Sequence, residues 1–188
     1  MPRVSTILKR ESEFSIPSEF CPHPEHWTAF DPSSAEVEVS EFIFSLIRMM
    51  QPEFIIETGT CFGQTTEYIG RALKENSHGK CVSLEINEAM VEYARKRCVD
   101  LPVEVILESS LDYTTDETID FAWFDSLPAI RFDEFIKFLP NFSKGAIVCF
   151  HDTAPHFSTQ YVDKLYDYGN VINFKTPRGL TIVQVNNE

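Results

Sequence analysis

Beyond Asp31 the chain alternates short apolar runs with amphipathic stretches. Residues 35–50 place Val39, Phe42, Ile43, Leu46 and Ile47 at helical spacing, and Pro52 ends that helix. Residues 54–57 read as a buried strand, 65–74 as a helix, and the Asn76-Ser-His-Gly79 turn closes it. Residues 80–84 form a second strand, and Asn87 caps a helix running to about Cys98. Further strands are expected at 103–107, 119–124 and 146–150, with helices at 132–139 and 158–168. Strands 171–174 and 180–185 finish the pattern, joined through Thr176-Pro-Arg-Gly179.

Strands alternating with helices imply right-handed βαβ units and a parallel sheet covered on both faces. The last two strands have only a tight turn between them and must pair antiparallel. The expected fold is α/β: a seven-stranded, mostly parallel sheet with its last strand reversed and helices on both faces. Ligands of such sheets sit outside the carboxyl ends of the strands. Residues 1–34 differ from the rest, because Pro17, Pro22, Pro24 and Pro32 interrupt any helix. They read as an N-terminal arm or lid, packed through Trp27 and Phe30 on a domain of residues 35–188.

Composition narrows the class. At 188 residues, 43% hydrophobic and 24% charged, the chain holds one full-sized core, which excludes disorder and a disulfide-stapled miniprotein. No apolar stretch approaches the ~20 residues of a membrane helix, and the start lacks the apolar core of a signal peptide. Five irregularly spaced cysteines read as reduced thiols, which points to the cytoplasm. A formal charge of −13 repels phosphate backbones, so no nucleic-acid partner is expected. Strand 180–185 is expected at the sheet's edge, protected on one side only beside an aromatic surface. Together with the arm, that suggests a homodimer.

The first strand ends in Glu57-Thr-Gly59-Thr-Cys-Phe-Gly63 and opens into a helix. Two glycines let the backbone turn sharply and approach a ligand at the helix N-terminus. A dinucleotide loop would read G-x-G-x-x-G; here the spacing is G-x-x-x-G, preceded by an acid that would repel a pyrophosphate and suits a sulfonium or ammonium. Read alone, the loop has a plainer alternative, a glycine turn that merely reverses the chain. Glu85 ends the second strand, where a carboxylate can accept both hydroxyls of a ribose. Read alone, it is an acid complementing a helix dipole.

Together, loop and acid resemble the class I S-adenosylmethionine-dependent methyltransferases, nearest to the small O-methyltransferases of catechol, caffeoyl-coenzyme A and sugar type. The resemblance covers roughly residues 35–185 and implies a Rossmann-like methyltransferase sandwich. It places Glu57, Gly59, Thr60, Gly63 and Thr65 against the methionine part of S-adenosylmethionine, and Glu85 on its ribose. Ser109 and Ser110 after the third strand fall at the adenine contact, where the family more often has a Gly-Asp pair. The implied activity is O-methylation of a small-molecule hydroxyl, sugar or phenolic.

The fourth strand ends at Asp125 and the fifth at His151-Asp152, so three ionisable groups finish apolar strands beside the loop. Such groups are costly to bury unpaired. A capping Asp and a hydrogen-bonded His would also account for them. Metal-using relatives carry an Asp at the first of these places and an Asp-Asn pair at the second. Asp125, His151 and Asp152 match them and are expected to activate the acceptor, through a divalent metal (magnesium or manganese) or with His151 as general base. The relatives' His and Tyr after the strand-four Asp are replaced by Ser126-Leu-Pro-Ala-Ile130, so the acceptor pocket is its own. Cys21, His23 and His26 fall short of a four-ligand zinc site; His26, Trp27 and Phe30 are expected to lid the acceptor pocket, with His156 at its wall. Two rival readings stand beside the enzyme: a non-catalytic cofactor-binding partner or sensor, and an NAD-type oxidoreductase.

Overall fold

The computed structural model describes residues 14–15, 19–157 and 159–186. Pro17 and Ser158, which figure in the expected arm and in the expected helix 158–168, lie outside them.

Seven strands form one sheet: β1 (Phe54–Thr58), β2 (Lys80–Glu85), β3 (Val103–Leu107), β4 (Ile119–Phe124), β5 (Phe142–His151), β6 (Gly169–Phe174) and β7 (Leu180–Val185). Their order is β3-β2-β1-β4-β5-β7-β6. The pairs from β3 through β5 are parallel, and β7 runs antiparallel to both β5 and β6. Helices α1 (Val37–Met50), α2 (Gln64–Asn76), α3 (Glu88–Arg97) and α4 (Arg131–Phe138) accompany it. This is the expected α/β sandwich, with its last strand reversed as the sequence requires.

The continuous apolar runs are explained by burial on both faces. Along each strand, alternate residues enter different cores. Ile55, Phe121, Trp123 and Cys149 pack with Ile43 and Ile47 of α1 and Tyr68 of α2. Ile56, Ala122, Phe124 and Phe150 pack with Phe135 and Phe138 of α4. Full burial of each such Phe contributes about 1.5–3 kcal/mol relative to exposure. Among the described residues no helix is long and apolar enough to cross a membrane.

Three expectations need correction. Strand Leu180–Val185 is not an edge: it lies between β5 and β6, with Leu180, Val183 and Val185 buried, and the edge on that side is Gly169–Phe174. The hairpin folds its second strand inward because that strand carries the larger apolar load. The expected helix 158–168 is a 3-10 turn, Val162–Asp167, held by bonds such as Lys164 N–H to the Tyr161 carbonyl. With Gly169 already in the next strand, the segment is too short to propagate an α-helix. Strand β5 starts earlier than expected, at Phe142, because Gly145 at φ +78° absorbs a register shift against β4.

Between β1 and β4 the sheet reverses its winding direction. The ends of β1, β4 and β5 therefore meet at the switch point where open α/β sheets bind ligands.

Candidate functional site

The loop after β1 is shaped by what presses on it. Gly59 stands at φ +81°, and a Cβ there would lie 2.4 Å from the Asp125 carbonyl oxygen. Only glycine lets the ends of β1 and β4 approach so closely. Gly63 (φ +74°) is the residue before α2, and a Cβ on it would strike Ala94 of α3 at 2.9 Å. Its role is to seat one helix against another.

A cavity of about 410 Å3 opens over this rim. Of the residues singled out from the sequence, Gly59, Glu85, Ser109, Ser110, Asp125 and Asp152 line it. Glu57, Thr60, Gly63, Thr65 and His151 are not among its lining residues. The Glu57 carboxyl is turned inward: Ser83 Oγ donates to it at 2.6 Å, and Ser83 in turn lies 2.6 Å from Thr60 Oγ1. Burial, reinforced by the nearby Asp125 and Glu85 charges and offset in part by hydrogen bonds, pushes Glu57 up to about 8. At neutral pH it is mostly an uncharged acid, which alters the charge argument made for it from sequence.

Glu85 ends β2, and Asp152 follows β5, with β1 and β4 between those strands. Glu85 Oε2 accepts from Cys61 N–H at 2.8 Å, and its Oε1 from Ile86 and Asn87 N–H at 2.9 and 3.0 Å. Those bonds fix the carboxylate and leave a lone pair on Oε2 for a ligand's hydroxyl. Asn87 caps α3 through Oδ1, as expected. Ser110 donates to Glu134, a buried acid of α4 that also accepts from Thr58 at 3.1 Å and Ser126 at 2.7 Å. Glu134 thereby joins the segments that follow β1, β3 and β4, and burial raises its carboxyl above the usual range.

Asp125, His151 and Asp152 do converge, with one ligand atom from each lying within 4.8 Å of the others. They are embedded in a larger charged cluster. His151 is wholly buried, with Nδ1 3.0 Å from Asp125 Oδ1 and Nε2 2.7 Å from Glu36 Oε2. Arg131 Nη2 donates to Asp125 Oδ1 and Asp152 Oδ2, both at 3.1 Å. Arg178 Nε and Nη2 donate to the two oxygens of Asp152 at 2.5 and 3.0 Å. The backbone N–H of Arg178 donates to the second oxygen of Glu36 at 2.9 Å.

This arrangement weighs against the reading of His151 as a general base. Burial alone would lower its pKa, but Asp125, Asp152 and Glu36 overcome that and raise it to about 10. An imidazole that already donates from both nitrogens has no lone pair for a substrate proton. The same charge holds Glu36 and Asp152 below the ordinary carboxylate range against their burial. The donor set does not fit a divalent metal either, since the carboxylates that would hold one are engaged by guanidinium groups.

The remaining expectations scatter. Among the described residues, Asp125, His151 and Asp152 are the one trio close enough to share an ion, so Cys21, His23 and His26 form no cluster. His26 is exposed and stacks on His23 at 5.4 Å. Trp27 and Phe30 pack on the α1 side of the core, and Trp27 lines a separate apolar cavity with Phe42 and Phe174. Of the arm, Ser33 lines the cavity at the rim. His156 lies outside that cavity, its ring 4.2 Å from Phe157.

Sequence reasoning passed over Glu36, Arg131, Glu134 and Arg178. One signal was available: Arg131 opens a helix, where the dipole disfavours a cation, so a compensating acid had to be near.

A family described as a methyltransferase domain matches residues 56–153. No curated protein matches the chain. Solved structures resemble it closely in fold. The O-methyltransferase from Bacillus cereus in complex with SAH has a TM-score of 0.71 at 19% identity, over 83% of this chain and 84% of that one. The O-methyltransferase TomG from Streptomyces achromogenes in complex with SAM has a TM-score of 0.69 at 19% identity, over 82% of each chain. The SAH-bound methyltransferase PaMTH1 from Podospora anserina has a TM-score of 0.70 at 14% identity, over 82% and 80%.

Proposed function

This chain belongs to the methyltransferase-domain family, and on that premise we propose that it transfers a methyl group from S-adenosylmethionine to a hydroxyl of a small molecule, sugar or phenolic. The observation that carries the reading is a cavity over the carboxyl ends of the strands, lined by Gly59 after β1, Glu85 of β2, Asp125 after β4 and Asp152 after β5. When bound, S-adenosylmethionine would supply a sulfonium methyl, which the acceptor oxygen would take as the carbon–sulfur bond breaks, with sulfur keeping the electron pair and the hydroxyl proton passing to water.

The residues fit such a ligand. Glu85 is held by three backbone N–H groups in a position to accept from ribose hydroxyls. Gly59 keeps the loop free of side-chain bulk, and Ser109 and Ser110 line the adenine end. Asp125 and Asp152 bound the acceptor end. Oδ1 of Asp125 meets both Arg131 and His151, and in this reading Oδ2 serves the acceptor. In this reading His151 holds Asp125 in place and does not itself take the proton. Glu57, Thr60, Gly63 and Thr65 do not line the cavity and in this reading shape the loop.

The O-methyltransferases from Bacillus cereus and Streptomyces achromogenes, seen with SAH and SAM, support the same cofactor here. Five free cysteines suit a reducing cytoplasm. Ile172 and Phe174 share a face of the open edge strand and are 56% and 39% exposed, which supports a homodimer through that edge. Light scattering giving a monomer at high concentration would count against the dimer.

Native mass spectrometry of the purified protein tests the main reading. Retained or added S-adenosylhomocysteine should appear as a single adduct. Binding of NAD in its place would overturn it.

A further inference from the structure

The acceptor rim presents two carboxylates and an imidazole that look like a metal site, yet each potential ligand atom on Asp152 and His151 is already committed. Both oxygens of Asp152 accept from Arg178, and Oδ2 accepts from Arg131 as well. Both nitrogens of His151 face carboxylates, which are acceptors only, so both must donate. A metal needs a nitrogen lone pair that this ring does not have to offer. One nitrogen of Arg131 bridges Asp125 and Asp152, occupying the side of each carboxylate that faces the other.

Charge points the same way. Three carboxylates (Glu36, Asp125 and Asp152) are met by three cations: Arg131, Arg178 and the doubly donating His151. A dication added to that set would leave two uncompensated positive charges in a buried cluster. Arg131 is also fastened from the other direction, since Nε donates to the Ser126 carbonyl at 2.8 Å and Nη1 to the His151 carbonyl. Its side chain is 1% exposed, and it cannot swing out to solvent without abandoning both strand ends.

We propose that Arg131 is the resident cation of this rim, filling the place of a divalent metal between Asp125 and Asp152, so that the site binds none. The proposal rests on the methyl-transfer reading only for its consequence, that turnover is metal-independent. The occupancy of the rim can be tested apart from it.

The experiment is a Mn2+ titration followed by the electron paramagnetic resonance of free ion, on wild type, Arg131→Gln and Arg178→Gln. Wild type and Arg178→Gln should bind no stoichiometric Mn2+. Arg131→Gln, which frees the facing sides of both carboxylates, should gain one ion per chain, tighter by an order of magnitude or more than any wild-type binding. One equivalent of submillimolar Mn2+ on the wild type would overturn the proposal. So would equal gains in both variants, or no gain in an Arg131→Gln protein whose circular dichroism is native. Should Arg131→Gln fail to fold, the wild-type titration decides, with absent binding supporting the proposal and stoichiometric binding refuting it. A parallel titration with S-adenosylhomocysteine reports separately on the cofactor reading.

Discussion

His151 Nε2 and Glu36 Oε2 lie 2.7 Å apart, and neither side chain is reached by solvent. The bond ties the end of β5 to the residue that precedes α1, across most of the length of the chain. The entry to α1 and the acceptor rim are thus joined by a buried ion pair.

Glu36→Gln leaves the imidazolium with an uncharged neighbour in a dry site. Breaking one side of a buried pair costs about 3–5 kcal/mol, and a loss of that order should appear in urea unfolding. Cofactor affinity should hardly change, because Glu36 does not line the cavity. A loss below about 1 kcal/mol would place the pair among interactions of surface strength.

The carboxylates around His151 raise its pKa to about 10 against the ordinary 6.5, so the folded state binds the proton more tightly. Its contribution to stability is fully present below pH 6.5 and is lost as pH rises through 10. Unfolding free energy measured across that window should therefore fall in wild type, and more steeply than in His151→Asn. Activity should show no rise with pH through the ordinary histidine range.

Glu57 has the opposite effect to a salt-bridged acid. Its folded pKa of about 8 lies above the unfolded 4.5, so the folded state holds a proton that the unfolded chain has released. Stability declines from pH 4.5 to about 8, by up to about 1.4 kcal/mol per pH unit, and is level above. Glu57→Gln should remove that decline, and a variant with the wild-type slope would refute the assignment.

Glu85→Ala removes charge-assisted hydrogen bonds worth roughly 1.5–3 kcal/mol to a ribose. Calorimetry with S-adenosylhomocysteine should show binding weaker by one to two decades. Unaltered affinity would take the ribose away from this residue.

With its imidazole protonated and its carboxylates held by guanidinium groups, the rim offers little to draw a proton from an aliphatic hydroxyl. A phenol, with a pKa near 10, needs less help. Initial rates should favour phenolic acceptors over sugars at neutral pH, and a sugar preferred at equal concentration would reverse this ordering.

How much was legible from sequence differs by kind of interaction. The strands around Ile55, Phe121 and Val148 announced themselves as short apolar runs, and Asn87 as a cap, since these depend on neighbours within a few residues. Gly59 and Gly63 were visible as a loop, but the reasons they must be glycine, Asp125 and Ala94, lie in other strands and helices. The place of strand Leu180–Val185 was misjudged because chain order says which strands are joined, not which one folds inward.

The sequence by itself determined the alternating α/β order, the reversed last strand, the glycine loop with Glu85, and three ionisable residues at the rim. Local periodicity and turn chemistry suffice for those. Only the tertiary structure decided what the rim residues are: whether His151 is a base or a cation, and whether Asp125 and Asp152 are free to hold a metal. Those properties are set by Glu36, Arg131 and Arg178, which reach the rim from α1, α4 and the β6–β7 turn. Charge interactions in a buried site act through space, and their strength depends on distances that the order of residues along the chain does not record.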